Sequence, residues 1–241
     1  MNYLLFICSS EPTPAEEIAV MQREVEGWVT EMDGRGVRLL GAPLQGPGAA
    51  VTVRVRDGET LLSDGPFAET KEHIAGFDVI DCADLDEAIE VASKHPVAWF
   101  KSIEIRPFAP GLELGPQAPA FARDEWAEGQ AHCLMMCVDG IPGPPAQEAQ
   151  IMRDGLAWAA DLRERGLQVL GHPLEHRETA TTVRVRNGET LVTDGPFAET
   201  AEFIAGLDVI SGASLQEAIS AAAAHPLARV HRVEVRPFWK M

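Results

Sequence analysis

Eight side chains in this sequence have the type and spacing to bind or move charge, and they come in matched pairs. Arg54 and Arg56 of "VRVR" return as Arg184 and Arg186, Asp64 and Asp194 open the heptapeptide "DGPFAET" at 64–70 and 194–200, and Asp78 and Asp208 stand in "GFDVI" and "GLDVI". A planar guanidinium binds carboxylate or phosphate through two parallel hydrogen bonds. Arg54, Arg56, Arg184, Arg186, Asp78 and Asp208 are therefore candidates for holding a small anionic or phenolic ligand. Asp64 and Asp194 are the candidates for a catalytic carboxylate, since an aspartate can serve as general base.

Alternation along the strands gives these residues a second meaning. In "VTVRVR", Val51, Val53 and Val55 share one face, and Thr52, Arg54 and Arg56 share the other; Ile103 and Ile105 likewise oppose Glu104 and Arg106. The aliphatic face belongs under helices. The charged face, repeated as Arg184, Arg186, Glu234 and Arg236, is expected to carry Arg–carboxylate pairs that include Asp78 and Asp208, because buried charges need partners. The heptapeptide also has a structural reading. Asp-Gly-Pro is strong turn chemistry, and Phe67 and Phe197 are expected to plug the core.

Other reactive types are scattered. Residues 14–34 and 144–164 contain no histidine. At an offset of 130, His73 faces Phe203, His172 faces Ala42 and His132 faces Asn2; only His95 and His225 repeat, each before a proline, where capping and the helix dipole account for them. His172 and His176 are four apart but separated by a proline turn, not on one helical face. Cys8, Cys82, Cys133 and Cys137 have no cysteine counterparts at that offset and read as ordinary buried thiols. No metal or cofactor is expected.

The elements that position these residues follow from the duplication. Residues 51–80 match 181–210 at 23 of 30 positions, whereas 11–40 match 141–170 at only 8 of 30. Tyr3–Cys8 and Cys133–Val138 read as first strands. "TPAE" places Thr13 as N-cap with Glu16 closing a capping box. Ile18, Met21, Val25, Trp28 and Met32 then form one helical face that ends near Gly36, and its counterpart ends near Gly166. Asp57-Gly58 and Asn187-Gly188 predict type I′ hairpins. Asp84 and Ser214, with Glu87 and Glu217, open second helices that stop before His95-Pro96 and His225-Pro226. Last come strands through "SIEIRPF" and "RVEVRPF". Each repeat reads βαββαβ with a hairpin insertion, an α+β ferredoxin-like order. The repeats span 1–108 and 131–241, and a Pro-, Gly- and Ala-rich linker spans 109–130.

A length of 241 residues and an apolar content of 46% suit two globular domains. The formal charge of −17 opposes association with nucleic acid or anionic membrane. "MNYLLFICSS" lacks a basic n-region, and no apolar stretch reaches 18 residues, so a cytoplasmic protein is expected.

"VRDGETLLSDGPFAETKE", with "AGF" and, in the second repeat, "EVRPF", resembles the DGPF branch of the YCII-related family, and the resemblance covers both repeats. It implies a ferredoxin-like dimeric α/β barrel, here joined within one chain as a pseudo-dimer of two tandem repeats. It also implies a His–Asp pair for proton transfer, whose histidine would fall in the first helix, where this sequence has none. Three functions follow. One is a ligand-binding or regulatory module, since genes of that branch often stand beside sigma-factor genes. The second is an enzyme of lyase, isomerase or dehydrochlorinase type on a small cyclic or phenolic compound. The third is a structural, partner-binding protein.

Overall fold

The computed structural model describes residues 1–10, 13–67, 72–110, 131–139, 144–198, 202–211 and 213–239; most of the expected linker and residues 68–70 and 199–200 of the heptapeptides lie outside them. The first repeat runs β1 (Asn2–Ser9), α1 (Ala15–Gly34), β2 (Arg38–Pro43), β3 (Val51–Arg56), β4 (Glu59–Asp64), β5 (His73–Asp81), α2 (Leu85–Lys94) and β6 (Ser102–Pro107). The second runs β7 (His132–Val138), α3 (Pro145–Glu164), β8 (Gln168–Pro173), β9 (Thr181–Arg186), β10 (Glu189–Asp194), β11 (Phe203–Ile210), α4 (Leu215–Ala224) and β12 (Arg232–Pro237). Setting the hairpins β3–β4 and β9–β10 aside, each repeat is a ferredoxin-like βαββαβ unit.

Local chemistry sets the ends of these elements. Asp57 and Gly58, with φ of 52° and 80°, make the I′ turn, as do Asn187 and Gly188 with 53° and 81°. Gly36 (φ 69°) and Gly166 (φ 72°) terminate the long helices in the left-handed region. Asp84 accepts from the Glu87 amide, and Ser214 and Glu217 complete a capping box. The first helix departs from expectation. Its N-cap is Pro14 and no side chain caps it, so Thr13 plays no such part.

The hairpins do not pair within their own repeat. β3 pairs with β12, at Val53↔Val233 and Thr52↔Glu234, and β9 pairs with β6, at Val183↔Ile103 and Thr182↔Glu104. One antiparallel sheet has the order β10-β9-β6-β1-β5-β2 and the other β4-β3-β12-β7-β11-β8. The compact units are accordingly interleaved in sequence. Unit 1 takes Met1–Pro43, Thr70–Pro116 and Leu174–Glu199; unit 2 takes Leu44–Glu69, Gln117–Pro173 and Thr200–Met241.

In unit 1 the core lies between the sheet and its helices, where Tyr3, Leu5, Ile7, Ile103 and Ile105 meet Trp28, Met32 and Val91, with Val183 supplied by the exchanged hairpin. Unit 2 repeats this with Leu134, Met136, Val233 and Val235 against Trp158, Leu162 and Ile219, and with Val53 from its own exchanged hairpin. The alternation read from "VTVRVR" holds, but the valines enter the core of the unit built mainly from the other repeat.

Pairing also corrects the equivalence of the first strands. Cys8 lies opposite Ser102 and Cys137 opposite Arg232, and residues 102 and 232 are 130 apart. The strands β1 and β7 therefore correspond at an offset of 129, and one extra residue precedes α3. Cys8 and Cys137 are counterparts after all, and His132 corresponds to Tyr3, not Asn2.

Candidate functional site

The face of each sheet turned away from its helices carries a polar cluster beneath the heptapeptide. In unit 1 the Phe197 amide donates to Glu104 Oε2 at 2.9 Å, Thr182 Oγ1 donates to the Gly195 carbonyl at 2.9 Å, and Arg106 Nη1 donates to Glu104 Oε1 at 3.4 Å. Unit 2 repeats these contacts: the Phe67 amide on Glu234 Oε2 at 3.0 Å, Thr52 Oγ1 on the Gly65 carbonyl at 2.9 Å, and Arg236 on Glu234. Gly65 and Gly195 have φ of 98° and 108°, conformations that suit glycine alone. A buried glutamate, a threonine and a left-handed glycine thus fix the heptapeptide's turn. Phe67 and Phe197 are half-buried and stay outside the core clusters they were expected to plug.

The two units differ at one position of this cluster. One step beyond Ile103↔Val183, Ser102 stands opposite Arg184 and its Oγ accepts from Arg184 Nε at 2.7 Å. The Arg184 guanidinium also lies over the Phe197 ring, 5.9 Å from its centroid. One step beyond Val233↔Val53 in unit 2, the serine's place is taken by Arg232, which stands opposite Arg54. Arg232 is held by Glu202 at 2.8 Å and by the Phe67 carbonyl at 3.0 Å. Arg54 Nε is buried with no hydrogen-bond partner among the described residues. Desolvation, together with the charges of Arg56 and Arg232, lowers the Arg54 pKa from its ordinary value, against weaker opposing pulls from Glu202 and Asp139.

The other arginines are committed to structure. Arg56 donates to the carbonyls of Ala228, Arg229 and Val230, and Arg186 to those of Ala98, Trp99, Phe100 and Lys101, so each closes the end of a 3₁₀ turn, Pro226–Arg229 or Pro96–Trp99. Asp64 and Asp194 are exposed at the ends of β4 and β10.

Asp78 lies on the opposite, helix-facing side, where it was expected to join the charged face. It pairs with Leu5 of the core register, its Oδ1 accepts from Arg38 Nε at 2.6 Å, and its Oδ2 is 3.7 Å from His95 Nε2. Burial raises its pKa to about 6, despite the nearby Arg38. His95 accepts the Val97 amide at Nδ1, which leaves the proton of the neutral ring on Nε2, and it packs edge-on against Trp28 at 4.4 Å. Burial holds it neutral, with a pKa near 3. Its side chain therefore caps the 3₁₀ turn that follows α2, while its backbone N–H, donating to the Ala92 carbonyl, makes it the C-cap of α2 itself. Asp208 and His225 are buried at the matching places in unit 2, where Trp158 packs on His225 at 4.6 Å; Gln168 occupies the sequence position of Arg38.

The thiols are quiet. Cys8 and Cys137 donate to the carbonyls of Phe6 and Met135, and burial pushes both well above the ordinary thiol range. A raised thiol pKa leaves little of the nucleophilic thiolate.

Two antiparallel sheets backed by helices, repeated within one chain and each carrying a loop-bound polar cluster, define a tandem α+β protein. The chain belongs to the YCII-related domain family, which matches residues 1–110 and 133–241. It is also 51% identical over 65 residues to an uncharacterized protein of Rhizobium meliloti (strain 1021), a match covering 25% of this chain and 51% of the relative. The match thus spans about half the length of that curated relative. Among the described residues no helix is long and apolar enough to cross a membrane.

The sequence brought Arg54 and Arg184 forward as a matched pair but overlooked Ser102 and Arg232, which make them different. The signal was present, a serine aligned with an arginine. Its meaning depends on which strand lies alongside.

Proposed function

We propose that this YCII-related protein binds one small anionic ligand per chain at the Arg54–Arg232 pair of unit 2, without turning it over. The observation that carries this reading is the buried, unpartnered Nε of Arg54 across the ladder from a second arginine. Like charges directly opposite on a sheet destabilise it, and a polar group buried without a partner costs further. A carboxylate or phosphate lying between the two guanidinium groups relieves both terms and gains charge-assisted bonds. Counting Arg54, Arg56 and Arg232 against Glu202 and Asp139 leaves one positive charge in a chain of net −17. That favours a monoanion, or a phenol close to ionisation, over larger polyanions. A binding module without turnover also suits the regulatory role beside a sigma factor that the resemblance to the DGPF branch implies.

The test is calorimetric titration and thermal shift with inorganic phosphate, benzoate and phenol. Saturation at 100 times the dissociation constant should raise stability by about 2.7 kcal/mol. Arg54→Met should abolish the effect and Arg184→Met should leave it. If none of the probes stabilises the wild-type protein, the reading fails.

A second reading, the enzyme on a small cyclic or phenolic compound, draws on Asp78, whose pKa near 6 places a proton exchange close to neutrality. Against it, both Asp78 and His95 are more than nine-tenths removed from solvent. Substrate would have to enter the helix–sheet core, and a saturable reaction abolished by Asp78→Asn but not by Arg54→Met would favour it.

A further inference from the structure

We infer that the residue at the position shared by Ser102 and Arg232 is a switch that decides whether a unit's strand arginine is open to a ligand, so that unit 1 is the closed copy and unit 2 the open one. The inference rests on the anion-binding reading of unit 2 and deepens it by naming what sets the specificity and number of sites.

The loop-binding parts of the two clusters are matched, although Asp139 and His231 near Arg54 have Ser10 and Lys101 as their counterparts in unit 1. Each has a threonine on the heptapeptide glycine, a glutamate on the phenylalanine amide, and an arginine on that glutamate. Each carries a cysteine opposite the position in question, Cys8 or Cys137. What differs is the group offered to the strand arginine. Serine presents a hydroxyl acceptor, and Arg184 Nε takes it at 2.7 Å, which aligns the guanidinium beside the Phe197 ring. Arginine presents only donors. It has nothing for Arg54 Nε to donate to, and it turns instead to Glu202 and the Phe67 carbonyl. The same single replacement therefore removes the acceptor and adds a second cation. Both changes favour an anion arriving from outside.

Four variants test this with inorganic phosphate as probe. Arg232→Ala and Arg232→Ser remove the same charge and leave Glu202 in the same state, but only serine restores an acceptor for Arg54. Loss of one charge-assisted contact should weaken binding about tenfold in Arg232→Ala, and Arg232→Ser should be about tenfold weaker again. Ser102→Arg should raise the stoichiometry from one phosphate to two. Should that variant fail to fold, Ser102→Ala removes the acceptor with little change of volume and should add a second, weaker site. Equal affinities for Arg232→Ala and Arg232→Ser, or a single site in the folded Ser102 variants, would overturn the switch.

A ligand-free readout separates this inference from the proposed function. In the wild-type protein the Arg184 Nε–H should exchange with solvent more slowly than that of Arg54, measured by 15N NMR. Arg232→Ser should slow Arg54 to the Arg184 rate. If it does, while phosphate binds no form of the protein, the switch stands and the ligand reading falls.

Discussion

At the scale of single residues, the Asp78 cluster shows how closely side chains fill unit 1. A Cβ added to Gly41 would lie 1.8 Å from Asp78 Oδ1 and 2.7 Å from Arg38 Nη2, whereas Gly46 has nothing within 4 Å. Gly41→Ala should therefore push apart the 2.6 Å ion pair and cost roughly 3 kcal/mol, as overpacking of a filled site does, while Gly46→Ala should change little. Equal denaturation midpoints would refute the fit. The same cluster gives stability a dependence on pH. His95, His225 and His132 are held neutral by burial at about 3, 4 and 4, below the ordinary 6.5. Unfolding at pH 4–6.5 lets each take up a proton, so their contribution is present above 6.5 and is lost as pH falls. Asp78, raised from 3.8 to about 6, acts with the opposite sign: its contribution is present below 3.8 and is lost as pH rises through 6. His172 and His231, also lowered by burial, act with these three histidines against Asp78. In about 0.5 M salt, which screens repulsion among surface charges, stability should fall from pH 6.5 to pH 4, and more steeply in Asp78→Asn. A flat or rising profile would show that these groups do not control acid unfolding.

At the scale of elements, what the sequence makes legible divides along the range of the forces involved. The I′ turns at Asp57-Gly58 and Asn187-Gly188, the caps at Asp84 and Ser214, and the ends at Gly36 and Gly166 depend on a few neighbouring residues, and each forms where its residue types place it. The core faces of β3 and β9 were equally legible, because strand alternation fixes which valines turn inward, but those of Asp78 and of Phe67 and Phe197 were not. Alternation does not say which strand lies alongside. "VTVRVRDGETLLSD" and "TTVRVRNGETLVTD" present the same pattern to β6 or to β12, so the exchange of hairpins left no local trace. The candidate site inherits that gap. Arg54 was recognisable as a residue able to bind an anion, but its difference from Arg184 requires knowing that β3 pairs with β12 and so meets Arg232. Arg56 and Arg186 looked equivalent to them by alternation, yet as the last strand residues they reach the carbonyls of the 3₁₀ turns. The equivalence of Cys8 and Cys137 was hidden by a one-residue shift that a constant offset cannot reveal.

At the scale of the whole molecule, exchange makes each repeat dependent on the other for a complete sheet. Residues 1–110 alone keep β1, β5, β2 and β6 but lose β9, whose Val183 fills part of the core and whose backbone satisfies the β6 edge. The fragment still carries β3–β4, with Val53 able to take the place of Val183. Whether it can do so within one copy is a matter of reach. β2 and β6 are at opposite sides of the four-stranded portion, and the hairpin must lie one strand beyond β6, a displacement of four strand spacings, or about 19 Å. Residues 44–50 join Pro43 to Val51; with the 3₁₀ turn at Pro47–Ala49 they reach roughly 23 Å, which leaves only a few ångströms to carry the chain over the face of the sheet and disfavours closure within one copy. A hairpin that cannot close on its own sheet can close on that of a second copy, which recreates the pairing at a symmetric dimer. Residues 1–110 should therefore sediment as a dimer, with the β6 edge protected from hydrogen exchange, and co-expression with residues 131–241 should yield a one-to-one complex. Deleting residues 51–64 should leave the fragment monomeric and its β6 amides exposed. A folded, strictly monomeric 1–110 with β6 protected would mean that the hairpin closes on its own sheet, and that the exchange is a consequence of covalent tandem linkage rather than of the short β2–β3 connection.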